Sequence, residues 1–145
     1  MRARLFDRTT RGLTLPDVTM MVDAGAVSFF AETLGMAPMA DGTAPPSFFT
    51  YIDAEADVAR RRRGEPTILE HIRCDQRYLL HGEESYDLLQ PIRAGDRLTV
   101  SARIADFYDS RQGHLEFAVV EQHATDAVRG LLVEARRTYI HRLAE

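Results

Sequence analysis

A chain of 145 residues is long enough for one domain with its own hydrophobic core, so it needs no disulfide or metal to hold it together. Its formal net charge of -4 argues against duplex nucleic acid as a partner, because the phosphates would be repelled. Cys74 is the single cysteine, which excludes an intrachain disulfide, and no Cys and His residues stand at the spacing of a metal site. No apolar run is long enough for a signal peptide or a membrane span. We therefore expect a cytoplasmic protein with no bound metal and no membrane association.

Two helices are predicted in the first half of the chain. The segment Met1–Met21 has little periodicity and is expected to form an irregular arm or a short edge strand. Asp23 is a good N-cap, and apolar residues recur at helical spacing from there to Gly35, which ends the first helix. A second helix begins at Pro46, because proline is tolerated in a first turn, and extends to about Arg62. Its broad apolar face predicts a buried central helix.

Three long strands are predicted in the second half of the chain. Side chains alternate over Arg97–Asp106, His114–Ala124 and Leu131–His141 with the period of two that is typical of strands. The connections Asp109–Gly113 and Asp126–Gly130 are short and contain Asp and Gly, so the strands should pair as antiparallel neighbours. Helices followed by such a sheet indicate an α+β domain in which the sheet wraps around the central helix.

The stretch Leu79–Asp96 joins the helical half to the strands and carries the most specific motif, LLHGEESYDLLQPIRAGD. Together with the helix DAGAVSFFAETLG, the APPSFF start of the central helix and the last strand VEARRTYIHR, it resembles the MaoC-like dehydratases of the N-terminal-domain type. The resemblance covers nearly the whole chain from Val22. It implies a hot-dog fold, an antiparallel sheet wrapped around a central α-helix, as a single domain over residues 1–145.

The resemblance also implies an activity. Enzymes of this family add water across, or remove it to form, the 2,3 double bond of an acyl thioester carried on coenzyme A or an acyl carrier protein. No cofactor is implied apart from this carrier. Such a reaction needs a base for the water, an acid for the α-carbon, and hydrogen-bond donors at the thioester oxygen.

The acid and base depart from the family pattern. The resemblance implies an Asp and a His in a GDxNPxH-like stretch after the first helix, but Met36 stands where the Asp is expected and no His follows before Gly42. Asp41 is a candidate for one of the two roles, although a Gly-flanked Asp in a loop is typical of a turn. In the family that the chain resembles, absence of this Asp/His pair is typical of a domain that shapes the acyl tunnel for a catalytic partner.

The start of the central helix is a candidate substrate site. Pro45 and Pro46 have no N–H, so the first free backbone donors for a thioester carbonyl are the amides of Ser47 and Phe48. We expect Phe49 to contact substrate beside them. The alternative is an ordinary helix that begins at proline.

The cluster His81-Gly82-Glu83-Glu84 is a further catalytic candidate. A histidine beside a carboxylate is suited to proton transfer near neutral pH, which makes His81 and Glu83 candidates for acid and base. The alternative is that His81 hydrogen-bonds backbone and that Glu83 is a surface or interface acid. The remaining strand histidines are expected to be solvated: His114, His123 and His141.

Four arginines, Arg60–Arg63, end the central helix. Arg60 and Arg61 are candidates to grip the phosphates of coenzyme A or the acidic surface of an acyl carrier protein. The alternative is that these cations are solvated and are stabilised by the helix dipole.

Three functions are compatible with the sequence. The first is a subunit of an enoyl-thioester hydratase or 3-hydroxyacyl-thioester dehydratase that shapes the acyl-binding tunnel. The second is a hot-dog enzyme of altered chemistry, a thioesterase or a biosynthetic tailoring enzyme, that uses His81 with a carboxylate. The third is a scaffold subunit without chemistry. Because a curled sheet leaves edge strands uncovered, we expect a homodimer or a heterodimer with a second hot-dog subunit. The acyl chain, its carrier and the direction of reaction are left open.

Overall fold

The computed structural model of the chain describes residues 3–80 and 82–143. The predicted α+β architecture is confirmed, since one antiparallel sheet curls around a central helix. The helices are α1 (Ala24–Thr33), α2 (Phe49–Arg62) and α3 (Ile68–His71), with 3-10 turns at Arg8–Thr10 and Pro46–Phe48. The strands are β1 (Thr14–Met21), β2 (Leu79–Leu80), β3 (Glu84–Leu88), β4 (Arg97–Asp109), β5 (Leu115–Asp126) and β6 (Gly130–Arg142).

The sheet has the order β1-β4-β5-β6, and the two short strands β2 and β3 both pair with β6 at the far edge. All pairings are antiparallel, and the three long strands form the expected meander. β1 is an edge strand, which agrees with one of the two expectations for the N-terminal segment. The short β3 is therefore the outer strand on the side opposite β1.

Local sequence signals explain both long helices. The Asp23 carboxylate accepts a hydrogen bond from the Ala26 amide at 2.8 Å, which satisfies a free donor at the start of α1. Gly35 ends that helix with a φ of +73°, a conformation that L side chains rarely adopt. The central helix begins in the 3-10 turn at Pro46 and continues as α2, as the sequence predicts.

The core lies between α2 and the concave face of the sheet. From the helix, Phe49, Ile52 and Ala56 are almost fully buried. They belong to one apolar cluster with residues of β4, β5 and β6: Leu98, Val100, Ala124 and Val133. A second apolar cluster lies towards the other end of the sheet, around Ile68, Ile72, Ile104 and Val120. Among the described residues, no helix is long and apolar enough to cross a membrane.

Candidate functional site

Of the pockets around the first turns of α2, two lie beside the edge strand β3. The first, which we call the edge pocket, has a volume of about 660 Å³. Its lining includes Thr50 of α2, Leu79 and Leu80 of β2, Glu84 of β3, and Arg137 and Tyr139 of β6. The second, the proline pocket, has a volume of about 320 Å³, and Pro45, Pro46, Leu88, Leu89 and Ile92 are among its lining residues. The two pockets therefore lie towards opposite ends of the edge strand β3.

A charged network forms one wall of the edge pocket. The Arg137 guanidinium contacts the carboxylate of Asp53 on α2 and lies 2.6 Å from the carboxylate of Glu84. Asp53 is buried beneath the pocket and also accepts a hydrogen bond from the side-chain amide of Gln122. The Tyr86 hydroxyl donates to Glu84 and lies 2.8 Å from the Thr50 hydroxyl. These contacts join the central helix to both β3 and β6.

Burial and neighbouring charges shift the pKa values of this network in opposite directions. Burial raises the pKa of Asp53, although Arg137 and Gln122 oppose the shift by stabilising the carboxylate. Burial alone would lower the pKa of Arg137, but Asp53, Tyr139 and Glu84 together outweigh it, so the pKa is raised. Burial also raises the pKa of Tyr139, whose ring centre lies 6.0 Å from the Arg137 guanidinium carbon. Arg137 is therefore charged and Tyr139 is a neutral phenol at neutral pH.

The candidate acids and bases from the sequence do not form a catalytic pair among the described residues. Asp41 is exposed, and its carboxylate accepts the Thr43 amide at 3.0 Å, which is the contact of a turn former and lowers its pKa. Glu83 is exposed, and its backbone carbonyl accepts the Thr138 amide at 2.8 Å. His81 lies outside the described residues, although its chain neighbours Leu80 and Gly82 both line the edge pocket.

The predicted carbonyl site is only partly available. Phe48 and Phe49 are fully buried, and Phe48 packs between the rings of Phe30 and Tyr51 at centroid distances of 5.4 and 5.2 Å. The Phe48 amide donates to the Pro45 carbonyl at 2.9 Å, so it is already used within the first turn. Ser47 is the middle residue of this turn and is exposed. It directly follows Pro45 and Pro46, which line the proline pocket.

Arg60 does not lie on the surface, which corrects the expectation that it grips a phosphate. It is fully buried and lies 3.0 Å from the Asp57 carboxylate, because it shares the inward face of α2 with Ile52, Asp53 and Ala56. Arg61, one position further, is exposed and remains a candidate for that contact.

The prediction of a solvated His141 is also wrong. This side chain is fully buried on the inner face of β6, opposite Glu116 of β5 in the sheet register. Its Nδ1 lies 3.0 Å from the Glu116 carboxylate, while its Nε2 accepts the Asp75 amide at 2.9 Å. The Phe6 ring stacks on the imidazole at 3.8 Å between centres. Both ring nitrogens are occupied and covered, so this pair is structural. His114 and His123 are exposed, as expected.

A second His–carboxylate contact lies on the outer face of the sheet, where His123 is 3.9 Å from Glu134. Neither this contact nor the Glu116 pair belongs to the edge pocket or the proline pocket. The His123–Glu134 contact instead lines a separate pocket of about 330 Å³ on the outer face. Within residues 3–80 and 82–143, the edge pocket and the proline pocket therefore contain hydrogen-bond donors and apolar walls but no histidine paired with a carboxylate.

Known proteins similar to this chain point to one family. A model of the FAS1-like dehydratase domain region matches residues 10–134. A UPF0336 protein of Streptomyces griseus is 35% identical over 83 residues, which are 57% of this chain and 47% of that relative. The matched part therefore spans about half the length of that relative.

Solved structures share the fold. The C-terminally truncated HadBC complex of Mycobacterium tuberculosis, a 3R-hydroxyacyl-ACP dehydratase, matches with a TM-score of 0.66 at 18% identity over 90% of this chain and 96% of that one. A MaoC-like dehydratase of Phytophthora capsici matches with a TM-score of 0.70 at 17% identity over 97% of this chain and 50% of that one. The fold is the hot-dog fold that these solved dehydratases share. The chain belongs to the family of FAS1-like dehydratase domain regions.

Proposed function

We propose that this chain is the substrate-holding subunit of an enoyl-thioester hydratase or 3-hydroxyacyl-thioester dehydratase. It works with a second hot-dog domain, which supplies the general acid and the general base. The proposal rests on the residues that line the edge pocket and the proline pocket beside α2. They have apolar walls and hydrogen-bond donors, but their described residues include no His–carboxylate pair.

The proline pocket suits the hydrocarbon part of the substrate. Its walls come from the start of the central helix and from the segment after β3, and they are mostly aliphatic or proline side chains. Leu88 and Leu89 are 39% and 56% exposed, so their apolar surface is free to be covered by a ligand or a partner. Ser47 lies next to this pocket in sequence and is positioned to donate its backbone amide to a thioester oxygen.

The edge strand β3 is the proposed contact with the partner domain. Its inner neighbour is β6, and no strand among the described residues pairs with its outer side, which is the kind of edge that natural sheets cover. A partner here would close both pockets, which lie at the two ends of β3. We expect at least a dimer, either of this chain or with a second hot-dog subunit. A monodisperse monomer at micromolar concentration in light scattering would contradict this.

The direct test measures the ultraviolet absorbance of the enoyl thioester. Purified protein is mixed with a short and a long trans-2-enoyl coenzyme A, alone and with a hot-dog protein that carries the usual Asp/His pair. We expect binding without turnover by the lone chain and turnover only with the partner. Turnover by the lone chain would refute the proposed division of labour, and its loss in His81→Ala with an unchanged melting temperature would assign the chemistry to His81.

Arg61 provides a test of the carrier. As an exposed cation at the end of α2, it is the remaining candidate for contact with coenzyme A phosphates or an acidic carrier protein. Arg61→Glu should weaken binding of acyl coenzyme A or acyl carrier protein and leave binding of an acyl thioester without phosphates unchanged. Arg111→Glu, in the exposed turn between β4 and β5, is the matched control.

A further inference from the structure

The edge pocket differs from the proline pocket in its polar inner wall. Arg137 and Tyr139 project from alternate positions of β6, and Thr50 comes from the facing helix α2. The lining also includes the apolar Leu79 and Leu80 of β2, the strand that pairs with β6. Hydrogen-bond donors beside apolar side chains are typical of a site that orients a ligand through a few polar groups.

Arg137 is held rigidly but retains free donors. Its side chain is 19% exposed, and its two terminal nitrogens contact Asp53 and Glu84, one carboxylate each. A guanidinium has five N–H groups, so these contacts and the neighbouring Tyr139 hydroxyl still leave N–H groups for a ligand. Because Asp53 is buried and Glu84 is held by Tyr86, the guanidinium has little freedom to turn away from the pocket.

The charge of Arg137 is cancelled by its neighbours. Two carboxylates contact one guanidinium, so the local sum of formal charges is negative. An anionic group would be repelled by Asp53 and Glu84 at short range. A neutral carbonyl, amide or hydroxyl oxygen meets no such repulsion and accepts a hydrogen bond from a charged donor, which is stronger than one from a neutral donor.

We propose that the edge pocket is a second ligand subsite, in which Arg137 donates a hydrogen bond to a neutral oxygen of the acyl-thioester substrate. The proposal rests on the proposed function, since it assigns part of the same substrate to this pocket. That oxygen belongs either to an amide of the pantetheine arm or to an oxygen-bearing acyl chain. In both cases the proline pocket takes hydrocarbon and the edge pocket takes the polar part.

The test is isothermal titration calorimetry of the full chain with three thioesters of equal acyl length. Hexanoyl ethyl thioester has no oxygen beyond the thioester, hexanoyl pantetheine has amides in the carrier arm, and a ketohexanoyl ethyl thioester has an extra oxygen in the chain. Arg137→Lys keeps a positive charge near Asp53 and Glu84 but loses the fork of donors. Arg136→Lys is the matched control, because Arg136 is the exposed neighbour on the outer face of the same strand.

We expect one of the two oxygen-bearing ligands to bind about tenfold more tightly than the plain thioester, which is the effect of one charge-assisted hydrogen bond. Arg137→Lys should remove most of that gain without changing binding of the plain thioester, and Arg136→Lys should change neither. The ligand that gains affinity identifies the source of the oxygen. If Arg137→Lys does not fold, Tyr139→Phe keeps the ring and removes the neighbouring hydroxyl, and it should reduce the gain several-fold.

The two proposals fail in different ways. Equal binding of all three ligands, or an oxygen-dependent gain that survives both Arg137→Lys and Tyr139→Phe, would overturn the subsite and leave the proposed function standing. Failure of the wild-type chain to bind any of the thioesters, alone or with its hot-dog partner, would overturn the proposed function and the subsite with it.

Discussion

Replacing Glu116 with glutamine tests whether a buried carboxylate holds the N-terminal arm against the sheet. One carboxylate oxygen accepts the Leu5 and Phe6 amides at 2.8 and 2.9 Å and lies 3.0 Å from the His141 imidazole. The other oxygen lies 3.2 Å from the Arg8 guanidinium. Glu116 and His141 are both fully buried, so water cannot replace a contact that is lost.

The expected cost follows from the charge on the acceptor. A hydrogen bond to a charged group contributes about 1.5–3 kcal/mol, roughly twice the contribution of a neutral one. Glutamine keeps one acceptor oxygen for the arm amides and His141, but its NH₂ group then faces the donors of Arg8, and the acceptor has lost its charge. We therefore expect Glu116→Gln to lower the free energy of unfolding by about 2–4 kcal/mol. For a chain of this size that is a fall in melting temperature of about 5–15 °C.

Thermal and urea denaturation followed by circular dichroism measure this cost. The control is Glu121→Gln on the same strand, because Glu121 lies only in exposed contacts with Arg103 at 3.5 Å and Arg136 at 3.9 Å. Such surface pairs contribute about 0–1 kcal/mol, so the control should be nearly neutral. Equal and small effects of the two substitutions would refute the assignment of the arm contact to Glu116.

The pH dependence provides a second check. Burial alone would raise the pKa of Glu116, but the hydrogen bonds from His141, the Phe6 and Leu5 amides and Arg8 together lower it. A carboxyl with a lowered pKa in the folded state adds stability above its unfolded pKa of about 4.3, and this stability is lost as the pH falls through the folded pKa. The difference between wild type and Glu116→Gln should therefore be complete at pH 6 and shrink as the pH falls below about 4.

Three further substitutions and reactions test other parts of the fold. Burial, with the Asp75 carboxylate, raises the pKa of Cys74 to about 11, so iodoacetamide at pH 8 should alkylate native protein about 100-fold more slowly than protein in urea; equal rates would contradict this. Gly82→Ala should free β2 and β3 from β6, because an added Cβ would overlap the Thr138 carbonyl. Amide hydrogen exchange over residues 79–88 should then become faster, whereas the control Ser85→Ala should leave it unchanged. Asp53→Ala should cost about 3–5 kcal/mol in urea denaturation, because it removes the buried partner of Arg137; a loss below about 1 kcal/mol would show that Glu84 alone holds the guanidinium.

Features that depend on neighbouring residues could be predicted from the sequence. Asp23 as a cap, Gly35 as a stop and Pro46 in a first turn each act within one helical turn, so both long helices were predicted within a few residues of their observed ends. The three long strands follow from alternation and from the Asp and Gly residues of their short turns. The predicted α+β hot-dog architecture follows from the order of these elements and from the family resemblance.

The buried polar pairs could not be predicted in this way, because their partners are distant in the sequence. In β5 both faces carry apolar residues, so alternation does not show that Glu116 faces inward with Ala118 and Val120. The short turn at Asp126–Gly130 does not reveal the pair either. Counted from that turn alone, Glu116 would stand opposite Ile140, and a register shift between Ala124 and Thr125 brings it opposite His141.

The charged network of the edge pocket had a weak signal. Asp53 stands on the apolar face of α2 directly after Ile52, and a carboxylate on a buried face needs a partner. The sequence does not say which arginine supplies it, since 18 basic residues, all of them arginine, are available. Only the folded register, which brings Arg137 of β6 to α2, decides the choice.

The central helix carries two buried charged side chains, Asp53 and Arg60. Replacing the Asp53–Arg137 pair tests whether this pair is needed for stability, for ligand binding, or for both. Arg60 leaves its Nε and one Nη without an acceptor among the described residues, and Asp53 is held only through its contacts with Gln122 and Arg137. Apolar side chains of similar volume replace a buried ion pair with little loss or even a gain of stability. In Asp53→Leu with Arg137→Met, the buried Gln122 amide also loses its acceptor, so we expect a net loss of only about 1–3 kcal/mol in urea denaturation. The same double variant should lose the tenfold preference for an oxygen-bearing thioester, since it has no donor at that wall of the pocket. Loss of stability without loss of the preference would instead show that the network serves packing and that another group binds the oxygen.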